Sequence, residues 1–177
     1  MQLVVLPGAT ARPSSGLPGY PQSAMLTTAH GIWLAARGAA EMPSLAMLEH
    51  HPALEPMQPQ LLLMAVETEP HDFRYVRIGS RMQQLSNADY TGRRMSEILH
   101  QRAPSTVWDH LTAAVDCRAP VKGVLPYVGR SRDISSIFHI VMPLATDGER
   151  IDHLLICVDL YQSVRLRDGT HPFTQLG

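Results

Sequence analysis

The sequence predicts an α+β fold: a five-stranded antiparallel sheet with helices on one face, preceded by an additional N-terminal helix. Three observations predict it. Short strand-like runs come first as a pair and later as a trio, with helical patterning between the two groups. The last two runs are joined by "ATDGER", whose Asp147-Gly148 is the commonest pair for a two-residue hairpin turn. If that register holds, Phe138, Ile140 and Met142 share a face with His153, Leu155 and Cys157, while Ile137, His139 and Val141 share the other with Leu154, Ile156 and Val158. Both faces are apolar, whereas an antiparallel sheet with one wet face alternates cleanly, so both faces must be covered.

The elements follow in order. Residues 1–22 hold Pro7, Pro13, Pro18 and Pro21 with Gly8, Gly16 and Gly19, and are expected to be flexible. Residues 23–60 form a helix and a connector. Ser23 is a candidate N-cap, Met25, Ala29, Ile32, Trp33 and Ala36 recur at helical spacing, and Gly38 stands where a helix ends. The connector, with Pro43, Pro52, Pro56 and Pro59, allows one helical turn at most, around 44–49. The main domain spans 61–160. "QLLLMAVE" at 60–67 and the run 73–79 make a hairpin across "TEPHD". Residues 80–87 and 93–99 suit short helices, the second entered through Thr91-Gly92. A longer helix begins near Pro104, with Val107, Leu111 and Val115 as its stripe and Trp108 and Ala114 beside it. Strands at 121–128, 134–144 and 150–160 close the domain, and 161–177 is a polar tail.

Composition excludes several functions. With 15 basic and 16 acidic residues the chain has no basic excess for a nucleic-acid surface. Two cysteines make no disulfide framework or zinc knuckle, and Cys157 reads as a buried free thiol. "LVVL" is too short for a signal core before Pro7, and no run approaches the roughly 20 apolar residues of a membrane span. The expectation is a cytoplasmic protein.

Several pieces then fall into a familiar order: Trp33, "HPALEPMQPQLLLMAVE" at 51–67, "DFRYVRIGS" at 72–80, "DYTGRRMSEIL" at 89–99, "RAPVKG" at 118–123 and "MPLATDGERIDHLL" at 142–155. In these the chain resembles the PAS domains, and among them a proteobacterial subfamily first catalogued as a domain of unknown function. The resemblance implies a sheet of strand order 2-1-5-4-3, with a cavity between sheet and helices that takes a ligand or leaves the domain to pair with proteins.

The candidate pocket residues are Met82, Leu85, Tyr90, Met95, Ile98, Trp108, Leu111, Phe138, Ile140, Met142 and Leu155, of which Trp108 is expected to abut any ligand. Met25, Ala29, Ile32, Trp33 and Ala36 are candidates for a dimer helix. No catalytic constellation stands out: the aspartates are scattered, Ser135-Ser136 lack a glycine elbow, and no phosphate loop is present. Nine histidines show no metal-ligand spacing. Haem-binding PAS domains use a histidine of the central helix, but His110 sits beside Asp109, off the apolar stripe, so haem is not expected and no cofactor is identified. His139 and His153 lie in strands, as hydrogen-bonded core histidines or as polar contacts to a ligand or a dimer seam. Arg130 and Arg132 occupy a hairpin loop. The expectation is a non-enzymatic, single-domain sensory protein. It binds a small molecule in an apolar pocket and signals by contact with an unidentified signalling protein, as a homodimer. The alternative is a ligand-free PAS docking or dimerisation module.

Overall fold

A computed structural model describes residues 23–86, 88–127, 131 and 134–162. The segment 1–22, the tail from 163 onward, and Arg130 and Arg132 lie outside the described residues.

Helix α1, Ala24–Arg37, is capped as the sequence predicts: Ser23 Oγ accepts from Leu26 N at 3.0 Å, and Gly38 ends the helix at φ 55°. A short helix α2, Leu45–Glu49, and a 3-10 helix, Pro52–Gln60, fill the proline-rich connector. Strands β1, Leu61–Thr68, and β2, His71–Ile78, form the first hairpin. Helix α3, Ser80–Leu85, a single 3-10 turn, Met95–Glu97, and helix α4, Thr106–Asp116, come next. Strands β3, Val121–Pro126, β4, Ile134–Leu144, and β5, His153–Gln162, complete the chain. The sheet order is β2-β1-β5-β4-β3, all pairs antiparallel. That order, with helices between the second and third strands, is a PAS-like fold.

Several boundaries differ from expectation. The connector carries the 3-10 helix Pro52–Gln60 besides the one turn expected, because proline suits the first positions of such a turn, and β5 runs on to Gln162. The helix expected at 93–99 is only one 3-10 turn. Helix α4 starts after Ser105, whose Oγ accepts from Trp108 N at 3.2 Å, so Pro104 precedes the cap and is not the first helical residue. The last hairpin pairs Leu144 with His153, which makes its loop longer than the two-residue turn. Asp147 Oδ1 accepts from Glu149 N and Arg150 N, and Asp152 accepts from Thr146 N, so side chains hold the wider loop. The pairing shifts by an even number of residues, so every side chain keeps its expected face.

The two faces can be assigned from one pair. Gly123 and His139 are cross-strand neighbours, and both meet His110 of α4. The face of Ile137, His139 and Val141 is therefore the inner one, under α4. By alternation, Phe138, Ile140, Met142 and Leu155 occupy the outer face, which α1 and the connector cover. Trp33 anchors that cover. It is 1% exposed, and its Nε1–H donates to the Pro143 carbonyl at 2.9 Å. Strand β3 begins at Val121, opposite Val141, and offers nothing to Pro143, so the indole takes the place of a strand donor.

This corrects the use foreseen for the helix stripe. Ala29, Ile32 and Trp33 are buried, and Met25 and Ala36 pack against the same core, all on the chain's own sheet. The face that needed a cover finds it in cis. Cys157 lies on this outer face, where burial pushes its thiol up to about 12, making it an inert packing group.

Candidate functional site

The inner face is roofed by short pieces, and they do not fill it. Between α3, the segment 86–105 and α4 lies a cavity of about 470 Å³. Its floor is apolar: Leu62 of β1, Ile78 of β2, Leu125 of β3 and Ile137 of β4. Met82 and Leu85 of α3 and Val107 of α4 add apolar walls.

One end is polar, and a glycine turn builds it. Gly92 has φ 81°, a conformation that costs glycine little. The turn lets Gly92 N donate to the Tyr75 carbonyl at 2.7 Å, while Tyr75 N donates to the Arg93 carbonyl at 3.0 Å. The loop thus pairs with the free edge of β2 and brings Tyr90 beside Tyr75, ring centroids 6.1 Å apart. His100 meets the other side of Tyr90 edge-on at 6.2 Å. Inside, Tyr75 Oη–H donates to Gln101 Oε1 at 2.7 Å. Burial raises the Tyr75 phenol well above its ordinary value, so it stays protonated and keeps donating. That bond turns the Gln101 carbonyl toward Tyr75. Among the described residues, neither the Gln101 amide nitrogen nor the Tyr90 hydroxyl has a hydrogen-bond partner. A third tyrosine, Tyr127, donates to the Leu85 carbonyl at 3.4 Å.

One step along the sheet from the floor pair Leu125 and Ile137 stands a second polar feature. His139 Nε2 lies 3.0 Å from His110 Nδ1. His139 Nδ1 is buried without a partner among the described residues. A proton on Nδ1 would be an orphaned donor, so the proton belongs on Nε2, which donates to His110. Protonating His139 further would require that orphaned position. Burial, and secondarily His110, therefore lowers its pKa to about 4. His110 is also lowered, by burial first, with Asp109 opposing. Both rings lie over Gly123, where a Cβ would sit 2.6 Å from His139 Cε1 and closer still to His110. The strand must carry glycine there.

Of the pocket candidates, Met82, Leu85 and Tyr90 line the cavity. Met95, Ile98 and Leu111 are buried in the surrounding core and do not reach it. Trp108 is not in the wall either; it packs edge-on against Phe73 at 5.1 Å and His71 at 6.0 Å. Phe138, Ile140, Met142 and Leu155 belong to the opposite face, under α1. The sheet is apolar on both sides, so hydrophobicity alone could not choose the inner one. Tyr75 and Gln101 were missed. Tyr75 alternates with Phe73 on one face of β2, a signal that was there to use, whereas Gln101 sits in an irregular segment with no period. His110 was also readable: it is three residues from Val107 and four from Ala114, on the buried side of α4. His153 contacts Asp152 at 2.9 Å near the hairpin loop, away from the cavity.

Among the described residues, no group of three or more His, Cys, Asp or Glu side chains is placed to hold a metal ion, and no helix is long and apolar enough to cross a membrane. No family model matches the chain, and no curated protein matches it. Among solved structures it is similar to a sensory box sensor histidine kinase from Vibrio cholerae, with a TM-score of 0.46 and 16% identity, over 66% of this chain and 96% of that one. The PAS-like layout itself rests on the strand order and the placement of the helices.

Proposed function

We propose that this chain is a cytoplasmic, non-enzymatic sensory module of the PAS type. A small molecule occupies the inner-face cavity, and occupancy alters a contact with another protein, either a second copy of the chain or a separate signalling partner. The kinship with the proteobacterial subfamily is part of the same proposal, supported by the order of the sequence pieces. The observation that carries the reading is the mainly apolar, partly open cavity of about 470 Å³ between the inner face and its roof. Ligand sites are concave, mostly apolar and typically about 300 to 1,000 Å³. The roof is the means of response. Residues 88–105 hold one short 3-10 turn and carry Tyr90 and Gln101. A ligand that binds one arrangement of this segment better than others shifts the population toward it.

The two serine hydroxyls of the lining bear on the non-enzymatic reading. The Ser86 hydroxyl donates to the Ala88 carbonyl and the Ser105 hydroxyl to the Gln101 carbonyl, as local turn and cap. Among the described hydrogen bonds, neither hydroxyl is paired with a base. Native mass spectrometry of the full purified chain tests the proposal. A discrete retained mass, absent from a Leu125→Trp variant that fills the floor, is the expected result. No retained mass, together with no thermal stabilisation across a metabolite library, would favour a ligand-free docking module instead.

A further inference from the structure

The cavity lining also restricts the chemistry of its occupant. We infer that the site takes an uncharged, mainly apolar ring compound bearing a carbonyl-type acceptor, which the Gln101 amide N–H recognises. This rests on the sensory reading above and names its ligand class. Three observations carry it. First, none of the described lining residues is Asp, Glu, Lys or Arg. A charged ligand would find no carboxylate, ammonium or guanidinium partner in this mainly apolar lining, which disfavours it. Second, one hydrogen-bonded pair fixes the direction of a free donor. Tyr75 Oη–H is committed to Gln101 Oε1 at 2.7 Å, and that bond leaves the amide nitrogen turned away and without a protein acceptor. The Tyr90 ring packs beside that of Tyr75. A ligand carbonyl pairs with the Gln101 amide, and a hydrocarbon does not. Third, the floor of Leu62, Ile78, Leu125 and Ile137 is apolar and suits a flat ring, although Ser86, Ser105, Thr106, Tyr127 and His100 also line the cavity. The Tyr75 and Tyr90 rings, 6.1 Å apart, already touch each other, so the ring lies on the floor and not between them.

Three probes of one shape test the inference by isothermal titration calorimetry on the full chain: 2-naphthamide, 2-naphthoate and 2-methylnaphthalene. 2-Naphthamide should bind at least about tenfold more tightly than either of the others, a difference of about 1.4 kcal/mol. Gln101→Met keeps the side chain's length and removes the amide. It should abolish the advantage of 2-naphthamide over 2-methylnaphthalene while leaving 2-methylnaphthalene affinity unchanged, which also reports an intact fold. Should that variant not fold, Tyr75→Phe serves, because it releases the amide from its fixed orientation and should shrink the same advantage. If 2-naphthoate binds as well as the amide, or if the advantage survives both substitutions, the ligand class is overturned and the cavity still stands as a binding site. If none of the three probes binds, the ligand class is overturned, while the sensory reading stands or falls separately on the retained mass seen in native mass spectrometry.

Discussion

The two faces of this sheet are equally apolar and are closed in opposite ways. On the outer face, α1 lies across β4 and β5 as one 14-residue helix. Its indole is locked to the Pro143 carbonyl, and Ile140, Met142 and Cys157 beneath are fully buried. On the inner face, the cover is broken into α3, a 3-10 turn and α4, with loops between them. Those pieces leave a cavity, a tyrosine–glutamine pair and a buried histidine pair. A continuous helix presents side chains at regular spacing and can close-pack a sheet. Short helices with many termini must place polar groups near the core, and here those groups gather around the space. Composition does not separate the two roles; continuity of the covering element does.

The strongest test of the contrast is on the sealed side. Trp33→Ala should destabilise the chain by about 3–5 kcal/mol in urea unfolding, through lost packing and an orphaned Pro143 carbonyl. A loss under about 1 kcal/mol would make α1 a loose flap and end the distinction between the faces.

The next effect comes from acid. In the unfolded chain His139 titrates near the ordinary 6.5, and in the fold only near 4. The unfolded state therefore binds more protons in that window. Stability is complete above about pH 6.5 and falls as pH drops toward 4, by about 3 kcal/mol in all. His139→Leu should remove most of that slope. An unchanged slope between pH 6.5 and 4 would mean the pair does not titrate as its burial requires.

A smaller effect is expected at the glycine beneath the pair. Gly123→Ala should cost about 1–3 kcal/mol, because the new methyl meets both imidazoles. Adding His110→Ala should recover part of that loss, and thermal melts of the double-mutant cycle measure the recovery. Strictly additive losses would show that the clash lies elsewhere.

Much of the fold was legible. Alternation in β4 and β5 identified both faces as covered, and the even shift at Asp147-Gly148 left that inference intact. Ser23 and Gly38 mark the ends of α1 as capping rules require. What was not legible depended on tertiary choice. Nothing local says whether Trp33 covers its own sheet or a neighbour's, since either burial satisfies the same stripe. Nor does the pattern of Ile137 to Met142 say which parity faces the cavity, because every position is suitable for a core. The cue was the one polar residue in that run, His139, whose partner His110 sits on the buried side of α4. Gln101 carries no period at all, and only its bond to Tyr75 reveals it.

A matched pair of substitutions tests most directly whether one face is open and the other full. Ile137 lines the cavity, and Ile140, three residues along the same strand, is buried under α1. Each is replaced by Phe, and the unfolding free energy is measured in urea. Ile137→Phe should remain within about 0.5 kcal/mol of the parent or exceed it, because the larger side chain enters empty space, while Ile140→Phe should lose about 1–3 kcal/mol by overpacking. Equal losses at the two positions would contradict the account, since they would mean that the inner face is as full as the outer one.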